Sequence, residues 1–509
     1  MKPGKVYLIG AGPGDPGLIT VKGQHCIHTA DVVIYDYLAA PALLAHAAPQ
    51  AEMIYVGKKG GRHTLPQGGI NQLIIDKARQ GLSVARLKGG DPYIFGRGGE
   101  EAEELVAAGI PFEVVPGVTS AVAGAAYAGI PLTHRDYTST VAFVTGHEDP
   151  TKENSSIDWK SLATGIGTLV FFMGVKNLPL IADRLQINGM DPETPVALVR
   201  WGTTTRQKTV TGTLATIVAI ARQAGIKAPA LIVVGQVVGL RDRLKWFEDR
   251  PLFGRTIIVT RARAQASDLV ERLTEMGANC LEYPTIEVGP PDDQAPLDNA
   301  IQDLATYDWL IFTSVNGVQY FFDRLFEQGK DVRALHHLRT AVIGPATAER
   351  LRGQGFHSDI IPASYRAEAV VEAFAAQNVA GRRILLPRAA EARPILPDEL
   401  RRMGATVDEI AAYRTRPVTE GAAGLVDDLA NGRVDMVTFT SSSTVKHFHQ
   451  MLPADQCDHL MRRVHTASIG PITTETALAL GFKVDITAHE YTIPGLCAAI
   501  QTFFGAERD

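Results

Sequence analysis

The sequence predicts an α/β protein of several domains, and three observations lead there: its length, the alternation of short apolar runs with longer amphipathic stretches, and a second half that repeats itself. At 509 residues the chain is too long for one core, and roughly 100 to 200 residues per domain suggests three or four units. Its hydrophobic fraction of 45% and charged fraction of 21% are those of globular proteins, which argues against disorder or an extended coiled coil. A net charge of -5 gives no global reason to bind nucleic acid or anionic lipid, so any anionic ligand must be met by local basic groups.

The opening MKPGKVYLIGAGPGD holds an apolar run too short for a secretory or spanning segment, and no membrane association is expected. Strand-like runs follow at VYLIG (6–10), VVIYD (32–36), FEVVPG (112–117), VAFVTG (141–146), LVFFMG (169–174), VALVRWG (196–202) and LIVVG (231–235). Amphipathic stretches separate them, the α/β pattern. Charges and a proline at 240–253 break that pattern before a new strand starts at GRTIIVTR, which places a boundary near residue 250. The expected organisation is a first part over 1–245, a linker over 246–252 and a second part over 253–509.

In that second part GRTIIVTRARA at 254 returns as GRRILLPRAAE at 381, YDWLIFTSVNGV at 307 as VDMVTFTSSSTV at 434, and AVIGPATAERLRGQGF at 341 as ASIGPITTETALALGF at 467. The offset of 126 or 127 residues is too long for a solenoid and describes two similar α/β lobes. A cleft between such lobes is the default binding site. Cys26, Cys280, Cys457 and Cys497 are scattered with no CxxC pair, so they are expected to be ordinary thiols in a reducing, cytoplasmic setting, with no structural zinc.

GAGPGD follows the first strand and, read on to Gly17, satisfies GxGxxG, with Asp36 standing 24 residues after Gly12 where a ribose-binding acid of a dinucleotide fold would be. Pro13 and Pro16 argue against that alternative, because they remove backbone donors from a loop that would have to hold a pyrophosphate.

The strings GAGPGDPGLITVKG (10–23), DVVIYDYL (31–38), VGKKGGRHTLPQ (56–67), RLKGGDPYIFGRGGEE (86–101), VVPGVTSAVAGAAYAGIPLTHRD (114–136), FFMGVKNL (171–178) and PALIVVG (229–235) resemble, in order, the motifs of uroporphyrinogen-III C-methyltransferases of the tetrapyrrole methylase family. The resemblance implies a two-domain α/β fold with S-adenosylmethionine held in the cleft. It assigns donor binding to Pro13, Gly89, Gly90, Asp91, Ile94, Thr119, Ser120, Met173, Gly202 and Ala230. These residue types suit donor binding, since glycines admit close approach, hydroxyls and a carboxylate hydrogen-bond, and a thioether is a soft apolar contact. Asp36 and Lys58 match the family's proton acceptor and donor. Methyl transfer to an electron-rich pyrrole carbon leaves a cation that must lose a proton, work for a nearby carboxylate. Arg62, His63, Arg97, His134 and Arg135 are candidate anchors for the substrate's carboxylates.

The repeated half resembles uroporphyrinogen-III synthase through TRAR (260–263), FTSVNGV (312–318), IGPATA (343–348), LPRAAEARPILPDEL (386–400), AYRTRP (412–417), FTSSSTV (439–445) and IGPITTETALALGF (469–482). The resemblance implies a bilobal fold of two flavodoxin-like lobes, one from about 253–287 plus 415–504, the other from 288–414. It also implies cyclisation of hydroxymethylbilane with inversion of the last ring, needing neither metal nor cofactor. Tyr413 matches the family's tyrosine, which donates to the departing hydroxyl. Thr347 and Thr473 are expected to face the cleft, with Ser314, Ser441 and Arg261 as further substrate contacts and Arg263 and Arg388 as helpers. A non-catalytic binding module of two lobes is the alternative for this half. The joint product is expected to be precorrin-2, on the way to sirohaem or cobalamin, from a homodimer built through the methyltransferase half.

Overall fold

The computed structural model describes residues 2–57, 65–147, 156–260, 263–362, 367–392, 394–418 and 421–506. Contacts divide the chain into two units, Met1–Arg255 with Thr274–Asn279, and Thr256–Leu273 with Cys280–Asp509.

The first unit begins with a five-stranded parallel sheet in the order Glu52–Tyr55, Val32–Tyr35, Val84–Lys88, Val6–Gly10, Phe112–Val115. Alternation along the three central strands buries both faces. Val6, Leu8, Val32 and Ile34 pack with Ile70, Ile74 and Leu105, whereas Ile9, Val33 and Leu87 pack with Cys26, Ile27 and Leu43 on the other side. Burial on both faces is why these strands read as continuous apolar runs. The chain crosses from Val6–Gly10 over Val84–Lys88 to Val32–Tyr35, and later reverses to Phe112–Val115 on the opposite side. That reversal is a topological switch point, where open parallel sheets bind ligands beyond the carboxyl ends of their strands.

A second sheet runs Val141–Thr145, Thr168–Phe172, Ala230–Val234, Pro195–Arg200, Lys208–Thr213, its first pair parallel and the rest antiparallel. The helix Ser120–Tyr127 packs against it through Ala121 and Ala125, among Val170, Phe172, Val199 and Leu231. Small residues on that helix let its backbone approach the sheet closely.

The second unit also holds two five-stranded sheets. One is ordered Asn279–Glu282, Thr256–Val259, Met436–Phe439, His465–Ser468, Ile486–Thr487, the other Ile286–Gly289, Thr406–Pro417, Arg383–Ala389, Trp309–Phe312, Arg339–Val342. The internal repeat is visible in them: Thr256–Val259, Trp309–Phe312 and Arg339–Val342 recur as Arg383–Ala389, Met436–Phe439 and His465–Ser468. The twelve-residue strand Thr406–Pro417 changes partner along its length. Up to Tyr413 it is parallel to Arg383–Ala389, and from Arg414 it is antiparallel to Ile286–Gly289. Tyr413 is therefore the last residue held by its lobe before the two connecting strands begin.

Candidate active sites

Four loops leave the carboxyl edge of the first sheet together. Gly12 and Gly90 exchange backbone hydrogen bonds, with the Gly90 N–H donating to the Gly12 carbonyl at 2.7 Å and the reverse bond at 3.2 Å. Gly90 has φ +69°, a conformation a side chain rarely adopts. At Gly89 a Cβ would stand 2.5 Å from that of Leu38, which ties the GGD turn to the turn carrying Asp36. Asp91 makes these loops one body: Oδ1 accepts the Tyr93 N–H at 2.8 Å and Oδ2 the Gly117 N–H at 2.9 Å. One oxygen holds its own turn and the other ties that turn to the loop after Phe112–Val115, so within this structure Asp91 shapes and joins the two.

Thr119 and Ser120 stand beside Gly90, where a Cβ would lie 3.7 Å from the Ser120 nitrogen. Thr119 occupies the N-cap position of its helix, yet its side chain makes no capping hydrogen bond. Half-buried Ile94 packs with the cluster around Val170 and Phe172, and Phe95 lies 4.9 Å from Phe172 between ring centroids. Met173 follows that phenylalanine at φ +57° and 55% exposure, so it does not fill the core. Gly202 lies between Trp201 and Thr203, at φ +50° and +71°, and its carbonyl would be 3.4 Å from a Cβ on Gly14, next to Pro13. Ala230 opens the adjacent strand, paired with Arg200. Among the described residues the five non-glycine residues with positive φ are Phe95, Arg97, Met173, Trp201 and Thr203, all in loops of this unit. Such conformations persist where surrounding structure enforces them, and they concentrate at ligand sites.

Asp36 ends the second strand, half-buried, with Oδ1 accepting the Leu38 N–H at 3.0 Å and Oδ2 ion-paired to Arg86 at 3.2 Å. Behind it lies a buried group that the motifs do not single out. Arg86 also reaches Glu101 at 3.4 Å, and Lys88 donates to the same Glu101 oxygen at 2.7 Å, all three buried. Burial, and then the Arg86 charge, push the Lys88 pKa below the ordinary lysine range, against the pull of Glu101. The signal in the sequence is the pair of cations at alternate positions in VARLK, directly before the GGD turn. Lys58, Arg62 and His63 lie outside the described residues. Of the other expected anchors, Arg97 pairs with Glu100, and His134 and Arg135 lie in the turn around Tyr137, where the His134 ring is 5.0 Å from Tyr137.

In the second unit Tyr413 is buried, its hydroxyl 3.0 Å from that of Ser314 and its ring stacked 5.9 Å from Tyr320. Burial raises its pKa, with Ser314 and the nearby Arg388 charge acting the other way. Arg388 is itself buried, paired with Glu409 at 3.0 Å. Ser314 and Ser441 are equivalent N-caps, accepting from Gly317 and Thr444. Thr347 and Thr473 are not caps: Gly344 and Gly470 hold those positions, and the threonines lie inside the first turns, both buried. Arg261 lies outside the described residues, as does the side chain of Arg263. Separately, a groove of about 530 Å³ lined by Arg462, His465 and Lys483 sits at the amino end of the strand His465–Ser468, the edge opposite the turn that carries Thr473. Among the described residues no group of three or more His, Cys, Asp or Glu side chains is placed to hold a metal ion, and no helix is long and apolar enough to cross a membrane.

Comparison with known proteins places this chain in tetrapyrrole biosynthesis. Residues 5–218 match the Tetrapyrrole (Corrin/Porphyrin) Methylases and residues 267–498 match Uroporphyrinogen-III synthase HemD. The chain is 37% identical to the porphyrin biosynthesis protein HemD of Ruminiclostridium josui over 97% of its own length and 95% of that protein. It is 43% identical to the uroporphyrinogen-III C-methyltransferase of Bacillus subtilis over 70% of its own length and 73% of that protein. Its first half is 55% identical to the S-adenosyl-L-methionine-dependent uroporphyrinogen III methyltransferase of Methanosarcina barkeri, covering 47% of this chain and 94% of that one. The chain belongs to the family of porphyrin-biosynthesis proteins that join a tetrapyrrole methylase to a uroporphyrinogen-III synthase, and it is a bifunctional enzyme with both domains.

Proposed function

We propose that the second unit closes hydroxymethylbilane to uroporphyrinogen III and that the first methylates this product twice to give precorrin-2. The observation that supports the methyltransferase reading is the gathering of Pro13, Gly89–Asp91, Thr119–Ser120 and Gly202 beside the turn of Asp36.

S-adenosylmethionine is the proposed donor, supported by the Methanosarcina barkeri relative and by the fit of the loops. The left-handed Gly90, the uncapped Thr119 hydroxyl and the outward Met173 offer close backbone approach, a free hydroxyl and a soft contact. When bound, that donor supplies an electrophilic methyl group. The chain's own residues do the rest: the turns orient, Asp36 stabilises positive charge developing on the pyrrole ring and takes the proton, and Arg86 holds that carboxylate in place. Lys58 is proposed as the returning donor on family grounds alone.

In the synthase half Tyr413 is proposed to hydrogen-bond the departing hydroxyl. Holding the flexible bilane in one conformation is the larger contribution, because uncatalysed closure gives the uninverted isomer. Thr347, Thr473, Ser314, Ser441 and Arg261 are proposed substrate contacts. A homodimer through the methyltransferase half and a cytoplasmic setting complete the reading. Its test is two separate assays on the intact chain. Added uroporphyrinogen III with S-adenosylmethionine should yield a dimethylated product, and hydroxymethylbilane alone should yield the type III isomer. Type I alone in the second assay would leave that half a binding module.

A further inference from the structure

The segment expected from sequence to be a linker is wired into the methyl-donor loop. Trp246 donates from Nε1 to the Ala126 carbonyl at 3.1 Å, and its ring meets Tyr127 edge-on at 5.0 Å. Phe247, buried, lies 4.7 Å from the same tyrosine. Tyr127 in turn donates its hydroxyl proton to Asp15 Oδ2 at 2.6 Å. A second path leaves the same segment. Glu248 Oε1 accepts from Gln207 Nε2 at 2.7 Å, Gln207 Oε1 accepts the Thr203 N–H at 2.8 Å, and Thr203 Oγ1 accepts the Asp15 N–H at 3.0 Å.

The two paths meet on one residue and hold it at both its backbone and its side chain. Asp15 directly follows Pro13 and Gly14, and its remaining oxygen caps the next turn by accepting the Gly17 N–H at 2.8 Å. Apolar packing alone would explain the rings of Trp246 and Phe247. It does not explain a polar chain through nearly buried Gln207 and Thr203, the latter kept at φ +71°. Buried polar groups arranged in a satisfied network fix one geometry of what they touch. The object fixed is the Pro13–Asp15 loop against the loop at Gly202.

We propose that Trp246–Glu248 is a positioning element for the methyl-donor loop, acting through Tyr127 and Gln207, so that donor affinity depends on a segment outside the donor pocket. This rests on the reading that the Pro13 loop receives the donor. The test uses the full chain, with S-adenosylhomocysteine binding measured by calorimetry and the circular dichroism and thermal unfolding of the chain as a check that the first unit is folded. Tyr127→Phe should weaken binding about tenfold, the worth of one hydrogen bond to a charged group, and raise the KM for S-adenosylmethionine with kcat at saturation little changed. Trp246→Ala should act in the same direction; should it fail to fold, Trp246→Phe, which removes the Nε1 donor and keeps a ring, takes its place. Gly14→Val, inside the loop, should abolish binding. Affinity within twofold of the parent in the Tyr127 and Trp246 variants, with Gly14→Val abolishing it, would overturn the positioning role and leave the donor-loop reading standing. Retained affinity in Gly14→Val would overturn that reading and the proposal with it.

Discussion

Asp36 gathers what single residues contribute to the proposed methyltransferase site. Its carboxylate is fixed by the Leu38 amide and by Arg86, so it is oriented before substrate arrives. A positioned acid or base typically contributes a factor of about 10² to 10⁴. Asp36→Ala should therefore slow methyl transfer by at least about 100-fold, while calorimetry finds S-adenosylhomocysteine affinity unchanged; normal turnover would remove Asp36 from the mechanism. Tyr413 is proposed to play the corresponding part in the synthase half. Burial raises its pKa above the ordinary value of 10.0, so the phenol stays protonated, and able to donate, through alkaline pH. Type III synthesis is expected to show no alkaline fall below pH 10 that Tyr413→Phe removes, and that variant should be slower by at least about tenfold, some 1.4 kcal/mol. A rate within twofold of the parent would make Tyr413 a packing residue only. At this scale motif order in the sequence reaches Asp36, Asp91 and Tyr413, but not their partners. Arg86, the partner of Asp36, and Ser314, the partner of Tyr413, lie 50 and 99 residues away in sequence, and only the fold pairs them.

Among elements, the strand Val84–Lys88 teaches most. It is the centre of a parallel sheet and all five residues are buried, yet it does not stand out among the apolar runs because Arg86 and Lys88 interrupt it. Only the fold supplies the compensating charge, Glu101 from the helix Gly98–Ala107. Removing that carboxylate leaves two buried cations without their shared anion, a loss of about 3–5 kcal/mol for such pairs. Glu101→Ala should thus lower the first unit's chemical-denaturation stability by about that amount; a change under 1 kcal/mol would mean water replaces the carboxylate freely. By contrast, the strands Val6–Gly10 and Val32–Tyr35 are legible because both faces are apolar. So are the paired lobes, since a repeat needs no knowledge of packing. The partner change within Thr406–Pro417 is approached only through the family resemblance, which divides the lobes at 414/415, because the residue types of AAYRTRP carry no mark of it.

For the whole molecule, the break near residue 250 and the repeat beyond it announce two parts in one chain, and family membership says which enzymes they are. What sequence alone conceals is that the 246–248 segment contributes to the packing of the first unit, since Trp246, Phe247 and Glu248 find their partners at residues 126–127 and 207–209. A short charged stretch with a proline reads as a tether until those partners are beside it.

One chain is thus expected both to close the macrocycle and to methylate it. The most direct measurement is incubation of the intact chain with hydroxymethylbilane and S-adenosylmethionine, followed by mass analysis and isomer separation. The expected result is a dimethylated type III product from the parent, unmethylated uroporphyrinogen III from Asp36→Ala, and a marked loss of type III product from Tyr413→Phe. Unmethylated type I uroporphyrinogen from the parent chain would contradict it.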